Sequence, residues 1–173
     1  MDSPSVIIIL RIVHLVAGAF WVGGALVTAF FVLPTVKASG PVGGQFAGAL
    51  MARTHLPEWL TWAGVVSVLS GLLLYWDLYA GLPWAGFEPQ VVIGIGGLLA
   101  IISLALGFIV SAPTAARMGA VGKAIQTQGT PPTPTQIAER DKLLARLTNA
   151  AMVNAALIVI TLVCMAIGRY AGA

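Results

Sequence analysis

Residues 6–32 read VIIILRIVHLVAGAFWVGGALVTAFFV, a run in which Arg11 is the one charged side chain and His14 the one histidine. About 20 helical residues cross roughly 30 Å of hydrocarbon, so this run is long enough to span a bilayer. In lipid every backbone N–H and C=O has to be satisfied inside the segment, which makes the span an α-helix. The run is too long for a signal-peptide core, and Met1–Ser5 before it carry no basic residue. It is therefore expected to stay in the protein as a transmembrane helix, stopped by Pro34.

Working outward, three more stretches have the same character. They run from 58 to 79, with Pro57 suited to a first helical turn, from 91 to 112, ended by Pro113, and from 147 to 170. The composition of the whole chain agrees. Of 173 residues, 58% are hydrophobic and 9% charged, and mean hydropathy is +0.94. A soluble domain carries roughly a quarter charged residues, so a soluble enzyme, a nucleic-acid binder and a disordered chain are all excluded. No internal repeat is present. The expected architecture is all-α: one domain over residues 1–173, an integral-membrane four-helix bundle with lipid as its first partner.

The net charge of +3 comes from nine Lys/Arg against six Asp/Glu. These basic residues are scattered, and they read as topology signals rather than as a nucleic-acid patch. Lys37 and Arg53 fall between the first two spans; Arg117, Lys123, Arg140, Lys142 and Arg146 lie between and beside the last two. The opposite side holds Arg11 and Arg169, with Asp2, Asp77 and Glu88. The positive-inside rule then places both basic loops in the cytoplasm and both termini outside. The last loop reads as mostly helix extension, with Gly129-Thr130-Pro131-Pro132 as its break. Thr133-Pro134-Thr135-Gln136 reads as an N-cap, a proline at the first helical position and a capping-box glutamine. The fourth helix would thus start near Pro134 and expose residues 139–142 to water before entering the bilayer near Leu147. Residues 45–51 between the first two spans suit a short interfacial helix, and Trp76, Tyr79 and Trp84 suit an outer aromatic belt.

Few residues can carry chemistry. Cys164 is the single cysteine and forbids an internal disulfide; His14 and His55 are the two histidines. His14 lies about 12 Å in from the outer end of its helix, eight residues past Val6. Ionisable side chains at such depth face the bundle interior and mark function. Gly18 one turn on leaves room beside the imidazole, and Arg11 one turn back reaches toward the outer interface. An axial nitrogen, a gap and a cation are what a b-type haem needs, so His14 is the candidate metal ligand. Packing against a neighbouring helix, and a proton or substrate relay, stay open for the same residue. His55, just before Pro57, reads as a hydrated interfacial residue; it is about 28 Å of helix from His14 and cannot clamp the same haem. Met165, near the level of His14, is the candidate second axial ligand on a stripe with Asn154 and Thr161; its plain reading is packing. Asn149 and Asn154 equally suit inter-helix hydrogen bonds, and Ser67, Ser70 and Gly71 close helix packing. Gly94, Gly96 and Gly97 lie inside a lipid span and are no phosphate loop.

Three stretches carry a resemblance: Leu10–His14 with Phe20–Gly24 and Leu33-Pro34, then Gly71–Leu74, then Arg146–Asn149. They resemble a loose group of small bacterial membrane proteins that includes the CopD-type copper-resistance domain and the HemJ-type protoporphyrinogen oxidases. The resemblance implies a four-helix bundle in the bacterial inner membrane, and it matches His14 to the first-helix histidine that ligates haem b in the HemJ-type enzymes. Those enzymes also use a third-helix lysine and an acidic residue after the fourth-helix asparagine. Here residues 91–112 contain no lysine, and Ala150 follows Asn149. What carries over is the fold and a single haem, with His14, Arg11, Gly18 and Met165 as its residues, in electron transfer or a quinone- or porphyrin-linked redox role. Two alternatives stand beside it. One is a non-catalytic subunit of a larger membrane complex, or a homo-oligomer. The other is a small copper-type transporter, which so few buried polar groups serve poorly.

Overall fold

The computed structural model describes residues 4–84 and 86–172; Asp2, counted above on the outer side, lies outside them. Every element is helical, with no strand among the described residues. Four helices are long and apolar enough to cross a membrane: α1 (Pro4–Ala38), α3 (Leu56–Tyr79), α4 (Pro89–Thr127) and α5 (Pro134–Tyr170). A fifth, α2 (Gly40–Thr54), joins α1 to α3. It contains the short helix expected over residues 45–51 and extends it at both ends. α1 packs chiefly on α3 and α4 chiefly on α5, while α3 and α4 meet along a lighter seam. The core is narrow. Ile158 and Ser103 are its most buried large side chains, and Leu, Ile, Val and Phe cover the outside, as a lipid environment demands.

Two expected helix ends are corrected. Pro34 does not stop α1, which continues to Ala38, and Pro113 does not end the third span, which continues to Thr127. Each proline is preceded by one wide π-helical turn, Thr28–Val32 in α1 and Gly107–Ser111 in α4. In these turns the Leu33 N–H donates to Thr28 O, and the Ala112 N–H to Gly107 O, five residues back. Proline lacks an N–H and its ring strikes the carbonyl four residues earlier. A single wide turn removes that clash without exposing a run of backbone groups. Each helix thereby runs on past its proline, to Ala38 and to Thr127.

The α4–α5 loop follows its sequence. Gly129 sits at φ +66 and breaks the chain. The Thr133 hydroxyl accepts from the Gln136 N–H while the Gln136 side chain accepts from the Thr133 N–H, a complete capping box with Pro134 behind it. From there α5 is α-helical to Ile167. Its first 13 residues, up to Arg146, extend roughly 20 Å before the apolar part begins. They carry Glu139, Arg140, Asp141 and Lys142, and they pack antiparallel on the end of α4. This paired overhang is the polar end of the molecule.

Candidate functional site

α1 and α3 meet antiparallel through a seam in which large and small residues alternate. A β-carbon built on Gly71 would lie 2.8 Å from His14 Cε1, one on Gly18 3.1 Å from Ser67 Oγ, one on Gly64 2.9 Å from Trp21 Cε2, and one on Gly24 2.3 Å from Leu60 Cδ2. Each glycine therefore receives a side chain of the other helix. The His14 ring fills the notch at Gly71. Sequence reasoning gave that notch to Gly18, one turn along the same helix, and the structure corrects this: Gly18 faces Ser67, and the glycine beside the imidazole belongs to α3.

His14 Nδ1 lies 2.8 Å from the backbone carbonyl of Ser67. A carbonyl oxygen only accepts, so Nδ1 carries the proton and donates it. In the neutral ring Nε2 is then left with its lone pair. Nε2 is the farther ring nitrogen from the β-carbon position at Gly71, at 3.8 Å against 3.0 Å for Nδ1. The same Ser67 carbonyl accepts from Ser70 Oγ at 3.1 Å, and Ser70 Oγ also reaches Val66 O at 2.6 Å. Histidines that ligate metals are oriented in this way, by donating the other ring nitrogen to a carbonyl.

The remaining candidates are dispersed. Arg11 is exposed, one turn from His14 toward the helix start. Met165 lies at the α4–α5 seam, its methyl 3.4 Å from the β-carbon position at Gly96, whereas His14 faces α3. Asn154 and Thr161 share that seam: Asn154 Oδ1 accepts from Ser103 Oγ at 2.5 Å, and Thr161 Oγ1 donates to Gly96 O at 3.3 Å. The stripe 154, 161, 165 is thus the contact face of α5. His55 is exposed and left-handed at φ 51, the joint between α2 and α3. Cys164 is half-buried.

Among the described residues no three His, Cys, Asp or Glu side chains converge as a metal site. An isolated imidazole suits a metal whose remaining ligands arrive with it, as the four nitrogens of a porphyrin do. A feature sequence reasoning missed lies two turns along α1 from His14, where a cavity opens between the four spans; its signal was the scattered Thr28, Ser103 and Ser111 in otherwise apolar helices. No family model, curated protein or solved structure matches this chain.

Proposed function

We propose that the protein is a multi-pass protein of the bacterial inner membrane, with both termini outside, that binds one b-type haem through His14 and exchanges electrons with a quinone or a partner protein. The observation that supports this reading is the hydrogen bond from Nδ1 to Ser67 O, which orients the ring and leaves Nε2 uncommitted to the Ser67 carbonyl. The lone histidine fits a group that brings its own equatorial ligands. Such a haem would supply one-electron chemistry; the chain's part is to orient the imidazole, exclude water and set the polarity around it. Arg11 lies toward the water side, where a propionate would need a cation. Orientation follows from the Lys/Arg imbalance between the two sides.

The test is an absorption spectrum of detergent-purified protein expressed with haem precursor, air-oxidised and then dithionite-reduced. A Soret band with reduced α and β bands of the b type is expected, and His14→Ala should abolish it. Losing the single inter-helix hydrogen bond costs only about 0.6 kcal/mol on average in a membrane, so the variant should stay folded and make the spectral loss interpretable. A flat spectrum from folded, haem-supplied wild type would sink the reading.

One observation favours a second reading. Only 6% of the most apolar window of α1 is buried within the chain, which leaves a broad face for a neighbouring subunit. As an accessory subunit of a larger complex the protein would be colourless and would co-purify with its neighbours.

A further inference from the structure

The two π-helical turns lie on different helices, yet both border one cavity of about 180 Å³. Thr28 belongs to the first turn, and Gly107, Phe108 and Ser111 to the second; Trp21, Thr61, Ser103 and Asn154 supply the rest of the polar wall. Wide turns of this kind recur at functional sites because they displace one residue from the helical register.

The wall has unused hydrogen-bond donors. Trp21 is 92% buried, being 8% exposed, and its indole N–H makes no hydrogen bond among the described residues; nor does the Asn154 amide nitrogen, whose oxygen is held by Ser103. Among the described residues no sealed-off side-chain nitrogen or oxygen lacks a partner, so the free indole N–H keeps accessible surface, as a donor on a cavity wall does. The Thr28 and Ser111 hydroxyls are also uncommitted, whereas Thr61, Thr114 and Thr148 each donate to the carbonyl four residues back. Among the described residues no charged side chain lines the cavity.

We infer that this cavity binds the ring of an uncharged, lipid-soluble carbonyl compound of the quinone class, with Trp21 and Asn154 donating to its oxygens. A cavity of about 150 Å³ accepts benzene, so this one holds a single six-membered ring. The idle N–H donors call for carbonyl acceptors. The lack of charge excludes phosphate and carboxylate heads, whose desolvation nothing here would offset. Phe108 lines the cavity and is half exposed, so that wall also reaches the outer surface, where an isoprenoid or alkyl tail would meet lipid. Trp21 is seven residues from His14, roughly 10 Å along α1. Binding rests on the cavity alone; only its coupling to His14 rests on the haem reading.

The experiment is equilibrium binding of a decyl-benzoquinone to the full chain in nanodiscs, against empty nanodiscs, read by ligand retention and by tryptophan quenching. Saturable binding is expected. Asn154→Leu should weaken it about tenfold, and Trp21→Phe should weaken it and remove much of the saturable quenching. Gly107→Leu should abolish it, because a β-carbon there meets open space and the longer side chain fills the cavity. If Asn154→Leu fails to unfold cooperatively, Gly107→Leu decides. Decylbenzene, with the ring but no carbonyls, should bind more weakly and be indifferent to Asn154→Leu. Retention no greater than in empty nanodiscs, equal affinity for decylbenzene, or insensitivity to both Asn154→Leu and Gly107→Leu would overturn the assignment. Saturable quinone binding by a wild type whose spectrum is flat would sink the haem reading and leave this site standing, whereas a b-type spectrum without saturable binding would do the reverse.

Discussion

His14 is held by two things a substitution can separate, a carbonyl it donates to and a notch it sits in. The notch is testable without touching the histidine. Gly71→Ala places a β-carbon 2.8 Å from Cε1 and 3.0 Å from Nδ1, so the ring must move and the bond to Ser67 O must stretch. Overpacking of this kind costs about 1–3 kcal/mol, and thermal unfolding in detergent should show it, together with a shifted haem spectrum. Gly97→Ala is the matched control: nothing lies within 4 Å of its β-carbon, and alanine gains up to about 1 kcal/mol of helix propensity. If both variants melted alike, the notch would have no energetic meaning. At this scale His14 was legible because an imidazole in hydrocarbon stands out in any sequence. Gly71 was legible as a close-packing position but not as the notch for His14, since a glycine among many small residues reveals nothing about which side chain lies across from it.

At the scale of helices, a π turn overrules the usual meaning of proline. An α-helix clashes with the proline ring and ordinarily ends or kinks there. Here each helix absorbs the ring with one wide turn and continues. Sequence reasoning stopped the two apolar spans at the prolines and had no signal for these turns, although it placed the Thr133 cap and the Gly129 break correctly, because cap and turn residues signal themselves locally. Pro113→Ala should restore an N–H that can donate to Ile109 O and close the second π turn. Closing that turn would rotate the following residues by about 100°, and with them Ala115 and Met118 of the cavity wall. Amide exchange over 107–113 should slow and quinone binding should fall. Unchanged exchange would mean that something other than the proline holds the turn open.

For the molecule as a whole, four spans and a thin core were readable from hydropathy and length alone, because bilayer thickness sets both. The pairing of α1 with α3 and of α4 with α5 was not, since apolar faces toward lipid and toward protein look the same. Orientation rests on charge, and two cysteines can test it. In a Cys164→Ser background, Leu82→Cys between α3 and α4 should react in intact spheroplasts with an impermeant maleimide. Thr130→Cys, between α4 and α5, should react only after lysis. The reverse pattern would invert the topology.

The polar overhang of α4 and α5 has a practical corollary. A bundle of 17.9 kDa sunk in a lipid disc offers an electron microscope almost nothing to align. The stiff antiparallel pair ends at Gly129–Pro132, clear of the apolar surface, and a small rigid domain spliced there through continuous helices would stand off the disc as a fiducial while leaving His14 and the cavity untouched.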